Sequence, residues 1–134
     1  MIDLPPAVIV HSLADAKAAL APGRPLTLLS APGAAQYAGC LWWRELLVAA
    51  NFTGPALLDC AAAPGRALEA LHLGLHLGLH PGWGGVVLRA PARAFSLVAQ
   101  LAAAQGALAL PLAPPALDLR LNGATRRLDS WLAG

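Results

Sequence analysis

Five short apolar runs, separated by longer segments rich in alanine and leucine, limit the folds that this chain can adopt. They occupy residues 7–10, 25–30, 55–60, 85–90 and 107–112. Continuous apolar runs are typical of parallel strands whose sheet is buried on both faces, and right-handed crossovers place helices on those faces. The sequence therefore predicts a three-layer α/β/α sandwich, flavodoxin-like or Rossmann-like, around a mostly parallel five-stranded sheet.

Helix signals fall between these runs. Ser12 is placed to cap a first helix, with Asp15 at the capping-box position. A long second helix is predicted over residues 33–51. A third opens at Pro64, in the first turn, where the missing N–H does no harm. Gly106 closes the fourth.

The chain length and a change in composition divide the sequence into a domain and an extension. A chain of 134 residues fits one domain, which we predict over residues 1–115. Charged residues become more frequent beyond this point, and residues 116–134 are predicted to form a C-terminal extension or arm that packs on the domain or on a partner subunit. Asn122 is expected to cap a short helix over residues 124–132.

The composition argues against several classes of function. Only 12% of the residues are charged and the net charge is +2, while an ordinary domain has about 25% charged residues. The basic residues are scattered, so no nucleic-acid surface is expected. The longest apolar stretch, 95–110, is too short and too interrupted for a membrane span, and the N-terminus lacks the basic region of a signal peptide. The excess of arginine and alanine suggests a GC-rich, bacterial-like coding sequence.

The stretch LHLGLHLGLH, residues 71–80, invites interpretation as a metal site. As a strand, this stretch would place five leucines on one face and the histidines and glycines on the other, and the sequence leaves open whether it is a helix or a strand. We favour a packed helix that continues from the third helix, with partly buried histidines. On a helix, His72, His76 and His80 lie along one stripe but no carboxylate stands between them, unlike the zinc-protease motif. We therefore predict no metal at these histidines and no cofactor for the protein.

The carboxyl ends of the predicted strands bring most of the unusual polar residues to one edge of the sheet. Ligands of open parallel sheets bind at this edge. The candidate ligand-binding residues are His11, Ser12, Ser30, Gly33, Asp59, Cys60 and Arg89. A small anionic ligand held by Arg89 is the natural hypothesis, because an arginine at a strand end, followed by Ala-Pro, has no capping role.

Each of the other candidates has a structural alternative. Ser12, Ser30 and Asp59 occur where helix N-caps are expected, and Cys60 suits a small buried apolar position. The alternative for His11 is a bond to a neighbouring loop. The turn at Gly33 lacks the lysine of a phosphate-binding loop. The sequence leaves open whether these side chains form a site or only cap helices, and whether the protein is an enzyme.

The tryptophans and the sparse charge indicate assembly. Trp is enriched at interface cores, and adjacent tryptophans on a helix point about 100° apart, so at most one is expected in the core. The candidate interface residues are Trp42, Trp43, Leu73, Leu77 and Trp131. We predict a cytoplasmic homo-oligomer, a dimer or larger, of unassigned activity with a ligand site at the strand ends. The alternative is a non-catalytic assembly module without a small-molecule site.

Overall fold

The computed structural model describes residues 4–74 and 84–134. Its strands are β1 (Ala7–Val10), β2 (Thr27–Ser30), β3 (Ala56–Asp59), β4 (Gly84–Val87), β5 (Leu108–Leu110) and β6 (Ala116–Asp118). Its helices are α1 (Leu13–Leu20), α2 (Ala34–Tyr37), α3 (Cys40–Ala49), α4 (Pro64–His72), α5 (Ala92–Ala104) and α6 (Ala124–Leu132). Strands and helices alternate along most of the chain, as the apolar runs predict.

The six strands form one sheet in which every pairing is parallel, in the order β5-β4-β3-β2-β1-β6. The predicted α/β fold, with a parallel sheet flanked by helices, is confirmed, although the sheet has six strands where five were expected. Because every pairing is parallel, the carboxyl ends of all six strands lie at one edge.

The order of the strands also decides where the helices pack. Right-handed crossovers that step in one direction place their helices on one face of a sheet. The larger apolar cluster accordingly contains buried side chains from all six described helices, together with strand residues such as Val8, Leu28 and Leu58. A second cluster contains one apolar side chain from each strand and none from a described helix. Its members are Ile9, Leu29, Leu57, Val87, Leu110 and Ala116, with Leu4 against them, and we call the six strand residues the inner group.

The connection from β5 to β6 shows that the sheet is strongly curved. β5 and β6 stand at opposite ends of the strand order, which in a flat sheet would separate them by about 24 Å. Only residues 111–115 join the two strands, and six residue steps span at most about 22 Å. The sheet must therefore curl so that its two ends approach, which explains how Leu110 and Ala116 reach the same apolar cluster.

Three local expectations are wrong. The helix predicted over residues 33–51 is two helices, because Gly39 takes a φ of 91° between α2 and α3. The third helix, which was predicted to continue into the histidine stretch, ends at His72, since Gly74 adopts a φ of 65° and donates its N–H to the carbonyl of Leu71. The cap of α6 is Gly123 rather than Asn122. The rest of the histidine stretch, from residue 75, lies outside the described residues.

Residues 116–134 contribute both a strand and a helix. β6 pairs with β1, and α6 buries Leu128 and Leu132 in the larger cluster. The indole Nε1 of Trp131 donates a hydrogen bond of 2.7 Å to the carbonyl of Ala7, which joins the end of the chain to its first strand. Among the described residues, no helix combines the length and hydropathy that a membrane crossing requires.

Candidate functional site

Four polar residues follow the inner group at the carboxyl edge of the sheet. His11, Asp59, Arg89 and Asp118 each stand two positions after a member of that group, on β1, β3, β4 and β6 respectively. Because side chains alternate between the faces of a strand, a step of two returns to the same face. These four residues therefore belong to one face and one edge, and we call them the polar edge.

Asp59 connects the loops at this edge. Its side chain is only 3% exposed. Oδ1 accepts hydrogen bonds from the backbone N–H groups of Gly33, at 3.1 Å, and Ala61, at 2.8 Å. A buried carboxylate is costly unless it is paired and hydrogen-bonded, and here two backbone donors and Arg89 meet that requirement. Asp59 is thus not a helix cap but the anchor of the loops that follow β2 and β3.

The backbone around Asp59 is strained. Ala61 has a φ of 50°, a conformation that costs an L-residue with a Cβ roughly 1–2 kcal/mol. Two hydrogen bonds hold it there, one from its own N–H to Asp59 and one from the N–H of Arg89 to its carbonyl, at 2.7 Å. Strain of this kind is concentrated at functional sites. It is the second feature, after the clustering of polar side chains, that this edge shares with such sites.

Arg89 is held by Asp59 and reaches solvent. Its Nη1 lies 3.5 Å from Oδ2 of Asp59, and its side chain is 43% exposed. A guanidinium carries five N–H donors in a fixed fork. One ion pair at this distance leaves most of these donors free to bind an anion from solution.

His11 and Asp118 form the second side-chain pair of the polar edge. Nε2 of His11 donates to Oδ1 of Asp118 over 2.8 Å, and the side chains are 13% and 25% exposed respectively. The backbone N–H of His11 donates to Oδ2 of Asp15, also at 2.8 Å, so Asp15 bonds the residue before the cap rather than the cap itself. The same Asp118 Oδ1 accepts from the N–H of Arg120 at 2.9 Å.

Sequence reasoning missed Asp118, although a signal was present. Residues 55–59 read PALLD and residues 115–118 read PALD, so the strand that ends in Asp59 has a shorter counterpart that ends in Asp118. Three-residue strands are too short to be recognised by periodicity. The likeness of the two segments was the available clue that 116–118 form a strand with an acid at its carboxyl end.

Three other candidate residues have structural roles. Oγ of Ser12 accepts from the N–H of Asp15 at 3.1 Å and caps α1. Ser30 is buried, where its Oγ accepts from the N–H of Asp59 at 2.8 Å and donates to the carbonyl of Ala31. Gly33 contributes its N–H to Asp59 and takes a φ of 71°. Ser30 and Gly33 therefore support the site through Asp59, and Ser12 supports only α1.

Cys60 does not join the polar edge. It follows Asp59 directly, points to the other face of the sheet and packs in the larger cluster. Burial is the main reason why the pKa of its thiol rises to about 12, and burial likewise raises the pKa of Cys40 to about 12. The thiolate is the nucleophilic form, so neither thiol is reactive at neutral pH.

The predicted interface residues differ in exposure. Trp43 is 1% exposed and packs in the core, whereas Trp42, Leu73 and Trp131 are half-buried. The two adjacent rings contact each other with centroids 5.8 Å apart. Trp43 therefore has almost no surface for a partner. Leu77 lies outside the described residues.

Neither metal clusters nor relatives identify the site. Within residues 4–74 and 84–134, no three His, Cys, Asp or Glu side chains lie together in a way that could hold a metal ion. No family model, curated protein or solved structure compared with the chain matches it significantly. The chemistry of the site must therefore be inferred from the residues of the polar edge.

Proposed function

We propose that this protein binds a small anionic ligand at the polar edge, with Arg89 as the principal cation. The observation that carries the proposal is the pairing of a buried Asp59 with a partly exposed Arg89 at the carboxyl ends of β3 and β4. Ligands of parallel α/β sheets bind at these ends. The strained backbone of Ala61, which is tied to both residues, supports the same place.

Asp59 holds Arg89 in one geometry and leaves most of its N–H donors free to bind a ligand. The charge of the carboxylate is already shared with the N–H groups of Gly33 and Ala61. An arginine held in one geometry loses less side-chain entropy when it binds an anion, and its fork suits phosphate or carboxylate oxygens. An exposed arginine without such a partner would lose more freedom on binding.

Replacement of Arg89 by Gln tests the proposal. We expect calorimetry to show saturable binding of inorganic phosphate or malonate to the wild type, and affinity roughly 10- to 100-fold lower for Arg89→Gln. Hydrogen bonds to charged groups contribute about 1.5–3 kcal/mol. The matched control is Arg93→Gln, because Arg93 is an exposed arginine on α5 close in sequence. Equal loss in both variants, or no saturable binding to the wild type, would contradict the proposal.

Assembly into a homo-oligomer is the second candidate, and an exposed apolar face on α3 favours it. Leu41 and Val48 are 54% and 68% exposed, and Tyr37 of α2 is 70% exposed. Leu41 and Val48 are seven positions apart, which places them on the same side of the helix. We propose that this face, with Trp42 beside it, contacts a second copy of the chain.

Sedimentation of charged variants tests this contact. We expect the wild type to sediment as a dimer or larger at tens of micromolar, and Val48→Arg to shift it to the monomer, because a charge would be buried in the contact. Leu121→Arg is the control, since Leu121 is equally exposed but lies in the turn before α6. A monomeric wild type would refute the assembly.

The two cysteines support a cytoplasmic location. Both are free and buried, and free thiols are typical of reducing compartments. We propose that the protein works in the cytoplasm, which fractionation of the source cells would check; recovery in an exported fraction would contradict it.

A further inference from the structure

We propose that His11, oriented by Asp118, selects ligands that carry a hydroxyl group at the end remote from the anionic group. The inference rests on the proposed function, because it assigns the other end of the ligand that Arg89 binds. The ligand class is then a small hydroxylated anion, either a polyol phosphate or a hydroxy acid.

The imidazole of His11 is held from two directions. Asp118, 107 positions away in sequence, accepts from Nε2, and the backbone of His11 is bound to Asp15. Asp118 is itself restrained by the N–H of Arg120, and the N–H of Leu119 donates to the carbonyl of Ile9 at 3.2 Å. The carboxylate and the ring therefore have little freedom to separate.

This pairing determines which ring nitrogen can accept a hydrogen bond. A carboxylate can only accept, so Nε2 must carry the proton, and in the neutral ring Nδ1 then carries the lone pair. Among the described residues, no group donates to Nδ1 of His11. A ligand hydroxyl is the donor that this nitrogen suits.

The strand spacing sets the length of the ligand. Continuing the register of β1, β2 and β3 places His11 level with Asp59, two strands away, which corresponds to about 10 Å. The guanidinium of Arg89 lies beside the Asp59 carboxylate, so a ligand that contacts both Arg89 and His11 must bridge roughly two strand spacings. A small molecule with its anionic group at one end and its hydroxyl group at the other has the shape that this separation requires.

Matched ligand pairs test the assignment. We would compare the affinity of 3-hydroxypropyl phosphate with that of propyl phosphate, and the affinity of 4-hydroxybutyrate with that of butyrate. In one pair, the wild type is expected to prefer the hydroxylated member roughly three- to tenfold, the usual effect of one neutral hydrogen bond. The pair that shows the preference identifies the anionic group as phosphate or carboxylate.

Variants of the protein test recognition of the hydroxyl end and of the anionic end of the ligand separately. His11→Phe should abolish the preference, so that the two members of the pair bind with equal affinity. Asp118→Ala should reduce the preference, because the ring is no longer fixed in one tautomer. Arg89→Gln should weaken both members of the pair and keep their ratio.

Three outcomes are decisive. Arg89-dependent binding without any hydroxyl preference, or with a preference that survives His11→Phe, overturns the role of His11 and leaves the proposed function intact. Absence of saturable binding of every probe overturns the proposed function and the inference with it. If His11→Phe does not fold, the ¹⁵N signal of Nδ1 in the wild type decides: it should move with 3-hydroxypropyl phosphate or 4-hydroxybutyrate only, and an equal response to both members of a pair overturns the inference.

Discussion

At the scale of the residue, the polar edge depends on a few buried groups whose partners are far away in sequence. Asp59 is bonded to Gly33 across 26 positions, and Ser30 to Asp59 across 29. His11 and Asp118 are bonded across 107. Each residue type was visible in the sequence, but its role depends on these partners. Cys60 shows the converse, since its neighbour Asp59 belongs to the polar edge while the side chain of Cys60 packs in the core.

The buried thiol of Cys60 predicts a loss of stability at alkaline pH. Below about pH 9 the thiol is protonated in the folded and the unfolded chain. Above this pH the unfolded chain releases the proton, while burial keeps the folded pKa at about 12. The free energy of unfolding should therefore fall between about pH 9 and 12, by up to about 1.4 kcal/mol per pH unit from this group.

Denaturant unfolding of the wild type and of Cys60→Ala over this range checks the expectation. The variant is expected to be less stable at neutral pH, because it leaves a small cavity, but to lose less stability as the pH rises. Parallel curves for the two proteins would show that Cys60 does not ionise differently on unfolding.

At the scale of the element, glycine determines how closely β4 and β5 approach. A Cβ on Gly85 would lie 2.1 Å from the carbonyl oxygen of Leu108 in the paired strand. That contact is impossible without a shift of backbone. Glycine also ends α4 and separates α2 from α3, so the limits of several elements follow from one residue type.

Gly85→Ala is expected to destabilise the protein by about 2–4 kcal/mol, because the strands must separate or the pairing must break. Chemical denaturation measures the change. Gly65→Ala is the matched control: a Cβ there meets nothing within 4 Å, and Gly65 lies in α4, where alanine is the better helix former. The expectation fails if Gly85→Ala is as stable as the wild type.

At the scale of the whole molecule, the last 19 residues complete the sheet. β6 covers the free edge of β1, and Asp118 brings a carboxylate to His11. α6 adds Leu128 and Leu132 to the larger core, and Trp131 bonds to Ala7. The chain from 116 onward therefore takes part in the fold and in the polar edge.

A chain ending at Pro115 should lose cooperative thermal unfolding and aggregate, because it leaves the edge of β1 unpaired and exposes the apolar side chains that α6 covers. Calorimetry of the two chain lengths tests this. A chain lacking only the exposed Ala133 and Gly134 is the control and should unfold like the wild type. Equal melting temperatures for the full chain and the chain of 115 residues would show that the extension is dispensable.

The amino-acid sequence by itself determined the features that arise from interactions between near neighbours. The apolar runs predicted five of the six strands, Ser12 the cap of α1, and Pro64 the first turn of α4. Each depends on burial pattern or on bonds within a few residues, which a linear sequence displays. The strand-end rule also brought together Asp59 and Arg89, because every parallel strand ends at the same edge.

Only the tertiary structure decided the rest. A three-residue strand such as β6 is too short to show a hydrophobic pattern of its own. It forms because it pairs with the edge of β1. The curvature that brings β5 towards β6 follows from the length of residues 111–115 together with the strand order. The partner of His11 could not be predicted for the same reason. The hydrogen bond between His11 and Asp118 joins residues 107 positions apart, and it forms only once β6 has paired with β1. No local preference of either residue encodes it.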